Sequence, residues 1–355
     1  MSSNPYEGAR RVLEAAVAGQ AFPAAAIDVG GSAGSLWQDA LGAYSLDPPV
    51  PAAIETPYDL ASLTKVVATT TLVMQLTAAQ RLQLGEPVSS FFEEWRGPDR
   101  TSVTIQDLLE HASGLPARLI DPAPDTRREF EHDICAIPLE CLPRTQSIYS
   151  DLGFILLGFV VEQRGHARLA SQFAHIVREL RLETDPLTFE LDAAARRRAA
   201  PTLAMEDDLR RGRMLFGEVH DSYAAALGGA AGHAGLFGTA PAVAAFARIV
   251  LRAARGDTGS PPPFTPQLLQ RFITKSSVPG SSRALGWDTM LPSSSCGSRM
   301  SASAFGHVGF TGTSLWIDPE RDRYYVLLTN RARGGGTLDE MRAVRRAFHD
   351  ALADV

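Results

Sequence analysis

The stretch Asp59-Leu60-Ala61-Ser62-Leu63-Thr64-Lys65 is the point from which the rest of the chain can be read. Ser62 opens a helical pattern directly after a loop, and Lys65 follows three residues later, a spacing that sets both on one helix face. A serine hydroxyl is a weak nucleophile until a base takes its proton. A lysine that is partly buried or beside another cation can lose its charge and act as that base. A serine at a helix N-terminus also brings its own N–H, and the positive end of the helix dipole, close to any oxyanion formed by attack on a carbonyl. The same serine is equally suited to an ordinary N-cap, so the pair needs support from elsewhere in the chain.

Upstream, residues 46–57 are proline-rich and read as a connecting loop. Two strands are expected before it, at 24–29 and 36–44, flanking Gly30-Gly31-Ser32-Ala33-Gly34-Ser35, whose small residues suit a hairpin turn. A helix over 5–18 precedes them, with Pro5 at its first position and Gly19 as its stop. Downstream, the pattern from Ser62 to Leu82 predicts one long helix, and 104–250 reads as mainly helical. Proline-bearing segments at 115–125 and 137–143 and the glycine-rich 227–238 interrupt it. Strand character returns at 315–317 and 324–328. A last helix carries Leu338, Met341, Val344, Phe348 and Leu352 on the face expected to pack on the sheet.

Strands at both ends and helices between them exclude a regular βαβ series. The expected architecture is α/β of the α+β kind. An antiparallel sheet flanked by helices (about 1–60 and 285–355) carries an inserted mainly α lobe (about 61–284), all in one 355-residue domain with a cleft between the lobes.

Composition narrows the function. The chain has 34 Lys+Arg against 40 Asp+Glu, a net charge of −6, which is no footprint for nucleic acid. With 45% hydrophobic and 21% charged residues it is an ordinary globular sequence. Its three cysteines, Cys135, Cys141 and Cys296, are not a disulfide framework. The first residues lack the basic and apolar regions of a signal peptide, and no apolar run is long enough to span a bilayer. A cytoplasmic protein acting away from membranes is expected.

Two further stretches carry chemistry. Tyr149-Ser150-Asp151 leads into an apolar run, so Tyr149 can shuttle protons near Lys65, or else be a structural tyrosine with Asp151 as helix N-cap. Gly306-His307-Val308-Gly309-Phe310-Thr311-Gly312 precedes the last hairpin, where glycines allow close approach of a substrate to the backbone, or simply form a bulge or turn. Taken in order, Ser62-x-x-Lys65, Tyr149-Ser-Asp151 and His307-Val-Gly309 resemble the three motifs of the serine β-lactamase and penicillin-binding-protein superfamily. The resemblance is to its branch of class C β-lactamases, D,D-peptidases and related esterases. It extends to residues 104–115, 229–237, Leu285-Gly-Trp287 and 307–318, and covers about 22–330.

The resemblance implies an α/β lobe, an all-α lobe and a catalytic cleft between them. By motif, Ser62 would be the acylated nucleophile, Lys65 the base that activates it, and Tyr149 the proton shuttle to the leaving group. The N–H groups of Ser62 and Phe310 would form the oxyanion hole, and Asp151, His307, Val308 and Gly309 would contact substrate. Asp151 stands where the family usually has asparagine, and an ionised carboxylate only accepts hydrogen bonds. His307 and Val308 replace the usual lysine and threonine, removing a fixed cation and a hydroxyl. These departures favour a hydrolase of esters, small amides or peptides over an efficient β-lactamase. The alternative is a non-catalytic binding or regulatory protein that keeps the fold.

Other signals are weaker. Gly30-Gly-Ser32-Ala-Gly34 matches G-x-S-x-G, but a strand rather than a helix follows it. His132, Cys135 and Cys141 lack a fourth ligand for zinc, so neither a metal nor another cofactor is expected. His111 and His233 read as satisfied structural histidines, the run at 196–198 as a solvated helix face, and the segment holding His220 and Asp221 as a possible cleft lining.

Overall fold

The computed structural model describes residues 4–46, 49–119, 123–206 and 208–353. Strands from the two ends of the chain share one sheet of seven, in the order Pro49–Pro51, Gly34–Leu46, Ala24–Gly31, Arg323–Thr329, Ser314–Asp318, Phe305–Val308 and Asp288–Thr289. All neighbours are antiparallel, and the N- and C-terminal contributions meet where Ala25 faces Thr329 and Ile27 faces Leu327.

The period of two along each strand divides the sheet's faces. Ala25, Ile27, Val29, Tyr325 and Leu327 pack with Leu13 of helix Glu7–Ala18 and with Met341 and Phe348 of helix Leu338–Ala351. Ala26, Tyr324, Val326 and Leu328 belong to the larger core on the other face, with Val243, Phe246 and Ala247 of helix Ala240–Ala254. That same core continues into the helical half.

Helix Asp151–Gly165 lies at the centre of the helical half. Its residues from Leu152 to Val161 are all buried, as expected of a helix that is apolar all round. Ser150 caps it by accepting the Gly153 N–H, and His166 ends it in the left-handed region at φ +54°. Gly158 and Gly232 let two backbones touch: a Cβ at Gly158 would lie 2.9 Å from the Gly232 nitrogen. Truncating a fully buried leucine here, such as Leu156, would cost about 2–5 kcal/mol.

Several expectations are corrected. The first helix begins at Glu7, because Asn4 turns back to accept the N–H groups of Tyr6 and Glu7 and leaves Pro5 in the preceding turn. Residues 49–51 of the predicted loop form the sheet's edge strand, where prolines are tolerated because no neighbour needs their N–H. The long helix from Ser62 is shorter. A π-helical stretch, Lys65–Thr70, runs into Thr71–Ala78, and Gln80 at φ +57° turns the chain away. Helix Ala240–Ala254 packs on the sheet, so the expected division at residue 284 cuts across the α/β half. Leu338 is 53% exposed, whereas Arg345 and His349 are buried on that helix's inner face. In keeping with expectation, the G-x-S-x-G match lies in the first hairpin, spanning the turn between strands Ala24–Gly31 and Gly34–Leu46.

Candidate active site

Ser62 stands on a corner fixed from three sides. Strand Tyr58–Asp59 pairs with Phe237–Gly238, and the Leu60 N–H reaches the Leu236 carbonyl at 2.9 Å. Ala61 has φ +47°, a left-handed conformation that costs a residue with a Cβ roughly 1–2 kcal/mol. It is held there by Asp59, whose Oδ1 accepts the Ala61 N–H at 2.8 Å while Oδ2 accepts the His220 N–H at 2.7 Å. From the sheet side, the hydroxyls of Thr311 and Thr313 donate to the carbonyls of Asp59 (2.7 Å) and Leu60 (3.0 Å). Burial pushes the Asp59 carboxyl up to about 6.

Ser62 Oγ accepts from Lys65 Nζ at 2.9 Å and from the Tyr149 hydroxyl at 2.8 Å. Lys65 is wholly buried, and its Nζ also donates to Asp151 Oδ1 (2.7 Å) and to the His233 carbonyl (3.0 Å). Three acceptors for three protons describe an ammonium, not a free amine. Burial alone would lower its pKa, but the charge and hydrogen bond of Asp151, together with Tyr149, more than reverse this and raise it. The lysine is therefore charged at rest, in contrast to the neutral base the spacing suggested.

Asp151 is the first residue of its helix rather than the cap, which is Ser150, and its carboxylate gains from the helix's positive end. Its second oxygen faces Arg118 Nη1 at 3.4 Å, and Arg118 reaches on to Asp221 Oδ2 at 2.9 Å. Asp221 Oδ1 meets His233 Nε2 at 2.7 Å. Despite its burial, the Asp221 carboxyl is held well below the usual range by His233 and Arg118. Asp151 thus points at Lys65 and Arg118 as an ion-pair partner, where an asparagine could accept a hydrogen bond but bring no charge.

The opposite wall is the strand Phe305–Val308 and the turn after it. His307 is buried, with Nδ1 donating to the Val308 carbonyl at 2.8 Å and Nε2 facing Arg283 Nη1 at 3.5 Å. Burial, Arg283 and Lys65 hold its pKa well below the ordinary value, so His307 is neutral rather than partly charged. Cations do reach the cleft, from Arg283, which lies 5.1 Å above the Tyr149 ring, and from Arg118. Gly309 is required by packing, since a Cβ there would lie 2.2 Å from Thr313 Oγ1 and 2.7 Å from the Leu60 carbonyl. Among the described residues no backbone acceptor takes the N–H of Ser62 or of Phe310, whereas the Gly309 N–H is spent on Thr313.

The cleft has a volume of about 390 Å³ and brings together Ser62, Tyr149, Asp151, His307, Val308, Gly309 and Phe310. Lys65 lies beneath it. Phe310, Leu338, Met205 and Val308 give the cleft an apolar side, with neutral His220 stacked on Phe310 at 5.4 Å. Burial draws the His220 pKa down to about 4. His111 accepts the Ser150 N–H and packs on Tyr149 at 4.6 Å. It is not fully satisfied as expected, because its buried Nε2 has no partner. The residues of the weak zinc signal do other things: His132 pairs with Glu94, and the three cysteines are free thiols.

Sequence reasoning missed Arg118, Arg283, Asp221's place in the charge chain, and the buried Arg345. Arg283 had a signal, since it stands two residues before the family-like Leu285-Gly-Trp287. Arg118 and Arg345 had none.

A putative D-alanyl-D-alanine carboxypeptidase of Escherichia coli K12 is 30% identical over 321 residues, covering 82% of this chain and 72% of the relative. An N-acetylmuramyl-L-alanine amidase of Bacillus subtilis 168 is also 30% identical, over 317 residues, with 82% and 71% covered. The fold is that of EstCE1, described as a hydrolase with promiscuous acyltransferase activity, at a TM-score of 0.77, 19% identity and 98% coverage of both chains. The family model for beta-lactamase matches residues 9–349, and with the serine, lysine and tyrosine assembled as above, the chain belongs to the beta-lactamase family.

Proposed function

We propose that the protein is a serine hydrolase that forms an acyl-enzyme on Ser62 from an ester or small amide. The observation that carries this is Ser62 Oγ held between Lys65 Nζ and the Tyr149 hydroxyl, at 2.9 and 2.8 Å, on a strained corner opening into the cleft. In the reactive state Lys65 has released one of its three protons to solvent, and as a neutral amine takes the proton of Ser62 as Oγ attacks the carbonyl. The N–H groups of Ser62 and Phe310 receive the oxyanion. Tyr149 protonates the leaving group and is reprotonated from Lys65. Water then releases the acyl group by the reverse sequence.

Esters and small amides suit this site better than β-lactams. Asp151 is committed to Lys65 and Arg118 and has no amide proton to give a substrate carbonyl. Val308 has no hydroxyl, and neutral His307 supplies no charge. The apolar side at Phe310 and Leu338 fits a small acyl chain, while Arg283 and Arg118 suit a polar or anionic substituent. The named activities of the carboxypeptidase and amidase relatives fall in the same acyl-transfer class. A cytoplasmic setting belongs to the same proposal: the three thiols are unpaired, and no helix among the described residues is long and apolar enough to cross a membrane.

The test compares kcat/KM for p-nitrophenyl butyrate and nitrocefin on one preparation. The ester is expected to be turned over at least about ten times more efficiently, and a reversed preference would overturn the substrate assignment.

A further inference from the structure

Arg345, on the inner face of helix Leu338–Ala351, is 5% exposed, and no carboxylate among the described residues pairs with it. Its Nη2 donates to the carbonyls of Gly309 (2.6 Å) and Thr313 (2.9 Å), and its Nε to that of Gly312 (3.3 Å). Arg331 grips the same turn from the other side, giving Nε and Nη2 to the Phe310 carbonyl at 3.0 and 2.6 Å while its guanidinium lies 4.5 Å from the Phe310 ring. Among the described residues the charge that acts appreciably on Arg345 is that of Arg331, another cation. A buried cation without a counter-ion is costly, and a neutral donor would hold a turn's carbonyls more cheaply. The charge itself therefore needs a reason.

Covalent connectivity supplies one. The Gly309 carbonyl and the Phe310 N–H are the two ends of one peptide unit. A cation bonded to the oxygen withdraws electron density from the amide and strengthens its N–H as a donor. The positive charge also stands on the oxygen side of the peptide whose N–H would meet an oxyanion, on a side chain that is itself buried. We infer that Arg345 is a positioning residue that orients and polarises the peptide joining Gly309 to Phe310, so that its N–H binds the oxyanion more strongly than it binds the ground-state carbonyl. This rests on the reading of the Phe310 N–H as half of the oxyanion hole.

The test uses Arg345→Lys, which keeps a buried cation, and Arg345→Gln, which keeps a donor without charge, each checked for folding by its melting curve. Acylation by p-nitrophenyl butyrate and inhibition by phenylboronic acid, which becomes tetrahedral and anionic on a serine oxygen, are measured in parallel. The glutamine variant should lose about 100-fold in kcat with KM changed less than about two-fold, and the lysine variant about 10-fold. Boronate affinity should fall by matching factors, while butyramide, which is neutral and planar, should bind unchanged. Loss of rate with unaltered boronate affinity, or no loss in a folded variant, would overturn the assignment. Should the glutamine variant not fold, the lysine variant decides by the same two readings. The wild-type burst is the control: if it is missing, the serine reading itself falls, and the role of Arg345 with it.

Discussion

The two walls of the cleft use cations in opposite ways. On the helical wall each lysine or arginine described above meets a carboxylate: Lys65 meets Asp151, and Arg118 meets Asp151 and Asp221. On the sheet wall Arg345 and Arg331 meet backbone carbonyls instead. A paired chain of charges can pass protons with little change in net charge, as acid–base chemistry at Ser62 requires. An unpaired pair of arginines keeps a standing positive potential, as a developing oxyanion requires. The site divides its labour between a compensated wall that moves protons and an uncompensated one that waits for negative charge.

Removing the base should break the compensated wall most severely. Lys65→Met is expected to slow acylation by about 1,000-fold, in the range for loss of a positioned acid–base group. The melting temperature should fall as well, because Asp151 loses its 2.7 Å partner and keeps only Arg118 at 3.4 Å. The check is single-turnover release of p-nitrophenol beside a thermal melt, and a rate within ten-fold of wild type would show that Lys65 is not the base.

Asp151→Asn sharpens the same comparison. Without the carboxylate, burial, already the largest single influence on Lys65, is no longer outweighed and lowers its pKa. Neutral lysine then forms at lower pH, so the rising limb of the kcat/KM profile should move to the acid side. A shift to the alkaline side, or none, would mean that the carboxylate does not set the lysine's charge.

The smallest effect is on stability and involves both walls. Burial holds His220 down to about 4 and His349 down to about 3, with His111 and His307 also well below the ordinary value. Their folded-state pKa values lie below those of the unfolded chain, so the unfolded chain binds more protons below about pH 6.5. The stability from these neutral histidines is complete above that pH and is lost as pH falls toward 4. Burial raises the carboxyls of Asp59, to about 6, and of Asp28, which works in the opposite sense over part of this window. With four histidines against two carboxylates, the melting temperature should drop by about 5 °C or more between pH 7 and pH 5. Scanning calorimetry across that range checks the sign, and a rise on acidification would contradict it.

How much of this was legible in the sequence follows the range of the interactions. Ser62 and Lys65 share a helix turn, and the terminal strands show their period of two, so local pattern suffices to place them. Tyr149 and His307 came from motif order, because nothing within their own neighbourhoods says that they meet Ser62. The charge state of Lys65 was not legible, since it depends on Asp151, which is 86 positions away. Arg345 is harder still. In sequence it is an arginine amid the charged residues of an amphipathic helix, and only the packed turn at 309–313 explains why it faces inward while Leu338 faces out. Long-range compensation of buried charge leaves no periodic trace in a single chain.

The central claim, that Ser62 becomes acylated, is tested most directly by the pre-steady-state release of p-nitrophenol from p-nitrophenyl butyrate by wild type and Ser62→Ala, with intact mass recorded on the same samples. The expected result is a burst of one equivalent and a butyryl adduct in the wild type, with neither in the variant. A burst or adduct retained by Ser62→Ala would place the nucleophile elsewhere. If several acyl donors and a fluorophosphonate all leave the wild-type mass unchanged, the protein is a non-catalytic binder that keeps the fold.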